Sequence, residues 1–215
     1  MDLAGIASAV LRGLPATAAL TALALLIGLV LGIPLMLLRI SQNRWLRLLA
    51  IAIITFVRSI PPIVWLFLIF FGLGSGYIRI DPFPAAVAGM GLIAGAYMAE
   101  IYRGALLSIH AGQWEGAAAL GFSRFRMWTD VLIPQLFRVA LPAMATYAIG
   151  LLKDTAIAST IGVGEMTFFA NQFSMAHYRG LEVFSFVALV YIALSLPMAW
   201  ASRSIDRRLR MKVSR

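Results

Sequence analysis

The chain has 215 residues, of which 61% are apolar and 13% are charged, and its formal net charge is +9. Soluble domains average about 25% charged residues, and a soluble domain of this length could not bury so much apolar surface. The composition therefore excludes an ordinary soluble enzyme and indicates an all-α, polytopic membrane protein.

Five windows of the sequence are long and apolar enough to cross a bilayer core, which needs about 20 helical residues. They comprise residues 14–38, 48–72, 83–107, 131–152 and 183–202. No internal repeat, heptad array or low-complexity linker separates them. The sequence therefore predicts a transmembrane helical bundle with five spans, in which residues 1–215 form a single domain.

Two local patterns predict how these helices pack and bend. Glycines spaced four residues apart favour close helix contact, and they occur in the first and third windows at Gly28, Gly32, Gly91 and Gly95. The Pro61-Pro62 pair interrupts the second window, and each proline permits a bend because it frees a backbone carbonyl. We therefore expect a kink in the second span, next to Arg58.

The distribution of basic residues predicts the orientation of the bundle. Eleven of the 18 Lys and Arg residues lie in the 39–47 connection, the 108–130 connection and the segment after residue 202, whereas three lie on the other side. Basic loops are retained in the cytoplasm. The N-terminus is therefore predicted outside and the C-terminus inside. The charge thus reflects topology, and nucleic-acid binding is not expected because the basic residues are not gathered on one face.

The connection at residues 108–130 contains a short stretch rich in helix formers, from Gln113 to Leu120, followed by Gly121, a natural helix stop. Its small side chains would let the surface of another protein approach closely. From the residues alone, this helix is either a cytoplasmic docking element or a solvated connector that lies on the membrane surface.

This connection resembles the signature of bacterial ATP-binding cassette importer permeases, which is Glu-Ala-Ala, three residues, Gly, nine residues and Ile-x-Leu-Pro. The matching positions, with glycine in place of one alanine, are Glu115, Gly116, Ala117, Gly121 and Pro134. Four further segments are similar to motifs of the polar amino acid branch of this family, namely residues 58–62, 96–104, 151–155 and 161–165. The main departure is Ser-Ile at residues 59–60, where the branch has Gly-Thr.

The resemblance implies a permease subunit of an importer for histidine, arginine, glutamine or glutamate-like solutes. Two permeases, identical or homologous, would form the pathway, with an ATP-binding subunit dimer in the cytoplasm and an extracytoplasmic substrate-binding protein. The helix that contains Glu115 would be the coupling helix that docks on the ATPase. The chain would lie among the lipids of the bacterial inner membrane and bind no cofactor itself, since ATP is used by the partner.

Charged residues inside the predicted spans are candidates for the substrate pathway, because such charges usually face protein or a watery cavity. Glu100 and Arg103 are three residues apart, so they either neutralise each other across a helical turn or line the pathway. Asp154, at the outer end of the fourth span, either snorkels to the headgroups or contacts the substrate. Together with Arg58 and Ser59, these groups would offer the acceptors and donors that a zwitterionic amino acid needs.

Two other classes of protein stay open on the residues alone: a secondary carrier or channel, and a non-transporting membrane scaffold. Carriers often have two related halves, and no such repeat is visible in this sequence. No Gly-x-x-x-x-Gly-Lys nucleotide-binding loop occurs, so ATP hydrolysis would belong to a partner. With no cysteine and two isolated histidines, neither a catalytic site nor a metal site is predicted.

Overall fold

The computed structural model describes residues 3–73 and 79–211, with side chains as far as residue 204. Its helices are α1 (Leu3–Arg12), α2 (Leu14–Arg39), α3 (Arg44–Ser59), α4 (Pro62–Phe67), α5 (Pro82–Leu107), α6 (Ala111–Ala119), α7 (Arg124–Arg126), α8 (Ile133–Asp154), α9 (Met166–His177) and α10 (Gly180–Met211). A π-helix, Leu68–Leu73, continues α4, and a second one, Met127–Leu132, joins α7 to α8. A 3-10 helix, Thr155–Ile161, follows α8. All regular elements of the described chain are helical, which confirms the all-α prediction.

Four stretches of the described chain are long and apolar enough to cross a membrane as helices. They are Leu3–Arg39, Pro82–Leu107, Arg124–Ile161 and Gly180–Ser204. The fifth candidate is the pair formed by Arg44–Ser59 and Pro62–Leu73, which is bent by 97°. The predicted second span is therefore not one helix, and the described residues contain four candidate spans, or five if the bent pair counts as one. The last residues of the basic C-terminal segment, 212–215, lie outside the described residues.

The bend between α3 and α4 lies at the predicted proline pair. Ile60 has extended backbone angles (φ −92°, ψ 130°), because the residue before a proline is disfavoured in the α region. The Trp65 indole N–H donates a hydrogen bond of 3.0 Å to the carbonyl oxygen of Val57, which the break in the helix leaves without its usual partner. Phe56 packs edge-on against Trp65, with ring centroids 5.9 Å apart. The bend is therefore stabilised by contacts between Val57 and Phe56 of α3 and Trp65 of α4.

The predicted glycine packing brings α2 and α5 together along their length. A Cβ at Gly32 would lie 2.6 Å from the Cβ of Met98, and a Cβ at Gly95 would lie 2.9 Å from the Cβ of Leu31. The glycines at positions 28 and 91 face the opposite helix in the same way. The helices can approach this closely only because these positions have no side chain. The prediction of close contact is thereby confirmed, and α5 is the most buried of the candidate spans.

Two helices, α1 and α9, lie outside the five apolar windows of the sequence, and each is too short to cross a bilayer alone. They pack against each other and against the first turns of α10, in an apolar cluster that includes Ile6, Val10, Met166 and Val183. A Cβ at Gly13, between α1 and α2, would overlap the backbone of Glu165 just before α9. This close approach fixes the N-terminal helices to the start of α9.

Candidate functional site

The connection between α5 and α8 folds into the short helix α6 that the sequence predicts. Its N-cap is His110, whose Nδ1 accepts a hydrogen bond of 3.1 Å from the Gly112 N–H. At the other end, Gly121 has a φ of +74°, and the Phe122 N–H donates to the carbonyl oxygen of Ala117 at 3.1 Å. This left-handed glycine and its six-to-one hydrogen bond form a Schellman cap, so Gly121 ends the helix as predicted.

One face of α6 contacts the bundle, and the other is exposed. Trp114 packs edge-on against Trp128, with ring centroids 5.6 Å apart, and Ala117 is buried. Glu115 and Gly116 are exposed, and a Cβ at Gly116 would have nothing within 4 Å. The predicted coupling residues therefore do not form one surface: Glu115 and Gly116 are accessible to another protein, whereas Ala117 anchors the helix.

Large apolar side chains follow α6 in the chain and are also exposed. Leu120 is 77% exposed and Phe125 is 76% exposed, and two basic residues, Arg124 and Arg126, flank the phenylalanine. Pro134 has a different role, because it lies in the first turn of α8, where the missing N–H has no helical partner to lose. Leu120 and Phe125 thus add two large apolar side chains to the exposed surface next to α6. The sequence signature does not single out Leu120 or Phe125.

Glu100 lies between two arginines. Arg103 Nη2 is 2.7 Å from Glu100 Oε2, and Arg39 Nε is 3.4 Å from Glu100 Oε1. The pair with Arg103 is the one that the spacing predicts. Arg39, the last residue of α2, is a second partner that the sequence does not reveal. The carboxylate is therefore neutralised from two sides and ties α2 to α5.

Arg58 packs on the first of two stacked tyrosines, and Asp154 lines a small cavity together with the second. The guanidinium carbon of Arg58 lies 4.5 Å from the ring centroid of Tyr97, and Tyr97 stacks on Tyr147 with centroids 5.1 Å apart. Tyr147 and Asp154 line one small cavity beside Pro62, at the bend between α3 and α4. We call Arg58, Tyr97, Tyr147 and Asp154 the polar–aromatic row. The tyrosines were missed as site residues, although Tyr97 lies inside one of the recognised motifs.

Ser59 does not join the polar–aromatic row. Its hydroxyl donates a hydrogen bond of 2.8 Å to the carbonyl oxygen of Thr55, one turn earlier in α3. The side chain thereby completes its own helix at the point where the proline break begins. Its contact is local, in contrast to that of the neighbouring Arg58.

A buried carboxylate that sequence reasoning did not select lies at the start of α9. Glu165 is fully buried, and it accepts hydrogen bonds from the Phe168 N–H at 2.7 Å and from the Tyr191 hydroxyl at 3.2 Å. Burial raises the pKa of Glu165, and the hydrogen bonds that it accepts partly oppose this effect. The Met166 N–H donates to the Thr17 hydroxyl at 3.2 Å, so α9 is tied to both α2 and α10. The recognised motif at residues 161–165 ends on this glutamate and is the signal that could have identified it.

The sequence matches the family described as "Binding-protein-dependent transport system inner membrane component" over residues 12–211. It is 37% identical over 164 residues to the glutamine transport system permease protein GlnP of Escherichia coli (strain K12), covering 75% of each chain. It is 35% identical over 203 residues to the arginine transport system permease protein ArtQ of Bacillus subtilis (strain 168), covering 94% of this chain and 92% of ArtQ. The fold is similar to the crystal structure of an amino acid ABC transporter with histidines, with a TM-score of 0.89, 31% identity, and 96% and 97% of the two chains covered.

Proposed function

Since the chain belongs to the family of binding-protein-dependent transport system inner membrane components, we propose that it forms the translocation pathway of an amino acid importer together with a second permease, identical or homologous. The chain is the multi-pass inner-membrane permease subunit of an ATP-binding cassette importer of amino acids, and an ATPase and a substrate-binding protein are its partners. In this proposal the ATPase dimer binds at the cytoplasmic face. The binding protein docks at the opposite face, where the N-terminus lies.

The observation that carries the proposal is the exposed face of α6, on which Glu115 lies, in a helix held firmly to the bundle on its other side. Trp114 contacts Trp128 in the π-helix that precedes α8. Gln135, in α8, donates a hydrogen bond of 2.9 Å to the side-chain oxygen of Gln113 in α6. A displacement of α6 by the ATPase would therefore move the start of α8. The ATP would be bound by that partner, and this chain would need no cofactor of its own.

The proposed orientation is supported by the position of the two basic connections. A cleft of about 850 Å³ is lined both by Ile40 and Gln42, from the 39–47 connection, and by Ala111 and Trp128, from the 108–130 connection. The two connections therefore lie at one end of the bundle. Because the two connections together carry five arginines, this end is the cytoplasmic one in our proposal.

For the substrate pathway we propose the polar–aromatic row. A polar amino acid carries a carboxylate, which the Arg58 guanidinium can bind, and an ammonium group, which the carboxylate of Asp154 can bind. Glu100 and Arg103 would complete the polar wall on the cytoplasmic side. With Arg39 nearby, their main contribution there would be to brace α2 against α5.

The test is ATP-driven uptake into proteoliposomes that contain the permease with its ATPase and are supplied with the binding protein. L-glutamine and L-arginine are the first probes, because they are named for the similar permeases. We expect Glu115→Lys to abolish both uptake and substrate-stimulated ATP hydrolysis, since it reverses a charge on the docking face, and to leave membrane insertion normal because the side chain is exposed. Glu115→Gln, which keeps the size of the side chain, is the matched control and should retain part of the activity.

Normal substrate-stimulated ATP hydrolysis in Glu115→Lys would refute the coupling role of α6. A chain that purifies from its native membrane without any ATPase, and whose transport does not depend on ATP, would instead favour a secondary carrier or a scaffold.

A further inference from the structure

Arg138 is a charged residue of α8 that forms no ion pair with any residue that the structure describes. It lies five residues after Ile133, the first residue of α8, which corresponds to about 8 Å along the helix axis. Its neighbours Phe137 and Val139 are large apolar residues that are about half exposed. An arginine among apolar side chains near the end of a span needs an anion or water for its guanidinium group.

The partner of Arg138 does not come from the substrate pathway. Arg138 and Tyr147 are nine residues apart on α8, which places them about 180° apart around the helix. Tyr147 belongs to the polar–aromatic row, whereas Arg138 lies on the side of the exposed residues Phe137 and Val139. A substrate carboxylate in the pathway is therefore out of reach of Arg138, and the exposed apolar side chains beside it offer a surface that acyl chains can cover.

Beside Arg138 lies a cleft of about 670 Å³ between α6 and α8 with a mixed polar and apolar lining. Its polar residues are Ser108, His110, Gln113, Asp130, Gln135 and Arg138. The Gln135 amide nitrogen donates at 2.9 Å both to Gln113 and to the carbonyl oxygen of Val131, so both of its protons are used. The amide nitrogen of Gln113 and the amide oxygen of Gln135 therefore remain for a ligand.

The cleft carries one cation and one anion that do not pair with described residues. Asp130 accepts a hydrogen bond of 2.7 Å from the Thr129 hydroxyl but forms no ion pair in the described part of the chain. Arg138 is the cation. A ligand that is complementary to this cleft has an anionic group for Arg138 and a cationic group with N–H donors for Asp130.

We propose that this cleft binds the headgroup of phosphatidylethanolamine, with the phosphate on Arg138 and the ammonium on Asp130. Guanidinium binds phosphate oxygens through several parallel donors, and an ammonium donates well to a carboxylate. The acyl chains would lie along the exposed side chains of Phe137 and Val139. Because α6 and α8 form the walls of the cleft, the bound lipid contacts both the coupling helix and the span that it moves. Only this coupling consequence rests on the proposed function.

The test measures lipid retention directly. The purified permease–ATPase complex is equilibrated in mixed micelles with equal amounts of phosphatidylethanolamine and phosphatidylcholine, and the retained lipid is identified by native mass spectrometry. Phosphatidylcholine is the matched control lipid, since it has the same net charge but no N–H donor. We expect the wild-type complex to prefer phosphatidylethanolamine about tenfold. Arg138→Gln and Asp130→Asn should lose this preference. Arg47→Gln, which removes an exposed arginine at the same end of the bundle, should keep it.

Equal retention of the two lipids by the wild-type complex, or an unchanged preference in Arg138→Gln, would overturn the proposal. Retention of the lipid by the permease alone but not by the complex would also overturn it, because the ATPase would then occupy the cleft. These outcomes do not depend on transport. Loss of ATP-driven uptake in every lipid would refute the proposed function and leave the lipid preference measurable.

Discussion

Replacement of the buried Glu165 tests whether it holds α9 in place. In Glu165→Ala the carboxylate that accepts from Phe168 and Tyr191 is lost. Loss of a side-chain N-cap costs about 1 kcal/mol, and loss of one ordinary hydrogen bond costs about 0.5–1.5 kcal/mol, since the Tyr191 hydroxyl keeps the Thr167 hydroxyl 3.5 Å away. We therefore expect a destabilisation of about 1.5–2.5 kcal/mol, the sum of these two effects. Glu165→Gln keeps an acceptor for the Phe168 N–H and supplies an amide for the Tyr191 oxygen, so its loss should be below about 1 kcal/mol.

The assay is thermal unfolding of the detergent-solubilised protein, followed by intrinsic fluorescence at neutral pH. The control is Glu182→Ala, because the Glu182 carboxylate is 3.7 Å from Arg179 in a pair that is partly exposed. Such pairs contribute about 0–1 kcal/mol, so the control should unfold near the wild-type temperature. If Glu165→Ala unfolds no earlier than Glu165→Gln or the control, the assignment of Glu165 as the anchor of α9 is refuted.

The burial of Glu165 also predicts how the stability of the folded protein changes with pH. Because the pKa of Glu165 is raised in the folded state, the folded protein holds the proton more tightly than the unfolded chain does. The resulting stabilisation is present at low pH and is lost as the pH rises from about 4.3, the ordinary value for glutamate, through the raised pKa. We expect Glu165→Gln, which cannot ionise, to lack this decline. An equal decline in Glu165→Gln and in the wild type would assign the effect to other groups.

Two further predictions concern the pathway and the helix packing. Asp154→Asn should lower the kcat/KM of uptake about tenfold, or alter the substrate preference, because a charged hydrogen bond to the substrate is lost. Its expression should be normal. The control in the proteoliposome uptake assay is Lys153→Gln, which keeps the Asp154 carboxylate. If Asp154→Asn shows unchanged uptake kinetics, Asp154 contacts the lipid headgroups and not the substrate. Gly32→Ala should destabilise the bundle by about 1–3 kcal/mol, since its Cβ would lie 2.6 Å from the Met98 Cβ. Gly150→Ala, where a Cβ meets nothing within 4 Å, should be neutral or slightly stabilising in the same thermal assay.

Local chemistry made several features of the fold predictable. Apolar length alone located α2, α5 and α8 within a few residues, and it located the apolar stretch Gly180–Ser204 of α10 equally well, although that helix continues to Met211. The proline pair predicted the break in the second span, because a proline restricts the residue before it and removes a hydrogen-bond donor. Gly121 predicted the end of α6, because glycine adopts the left-handed conformation of a helix C-cap without strain. The glycine pairs predicted close packing, although the helices that would meet there were not specified.

The tertiary structure decided which groups meet. The helices α2 and α5 are mainly apolar and have no distinct polar face, so their hydropathy pattern does not indicate which face of each helix points inward. For this reason the contact of Arg39 with Glu100 and the two tyrosines between Arg58 and Asp154 could not be foreseen. Rotation and register of the helices fix such contacts.

The sequence likewise does not indicate whether the charges of Glu165 and Arg138 are buried or paired. The sequence determined that this chain is an apolar helical bundle with a short helix between its third and fourth windows, since these features depend on residues that are close along the chain. Whether a given charge is buried, paired or left facing a cleft depends on residues that are far apart in sequence. Glu165 meets Tyr191 on another helix, and Arg138 meets no acidic residue within the described chain. Only the packing of whole helices separates these two outcomes, because it alone sets the distances between charges on different elements.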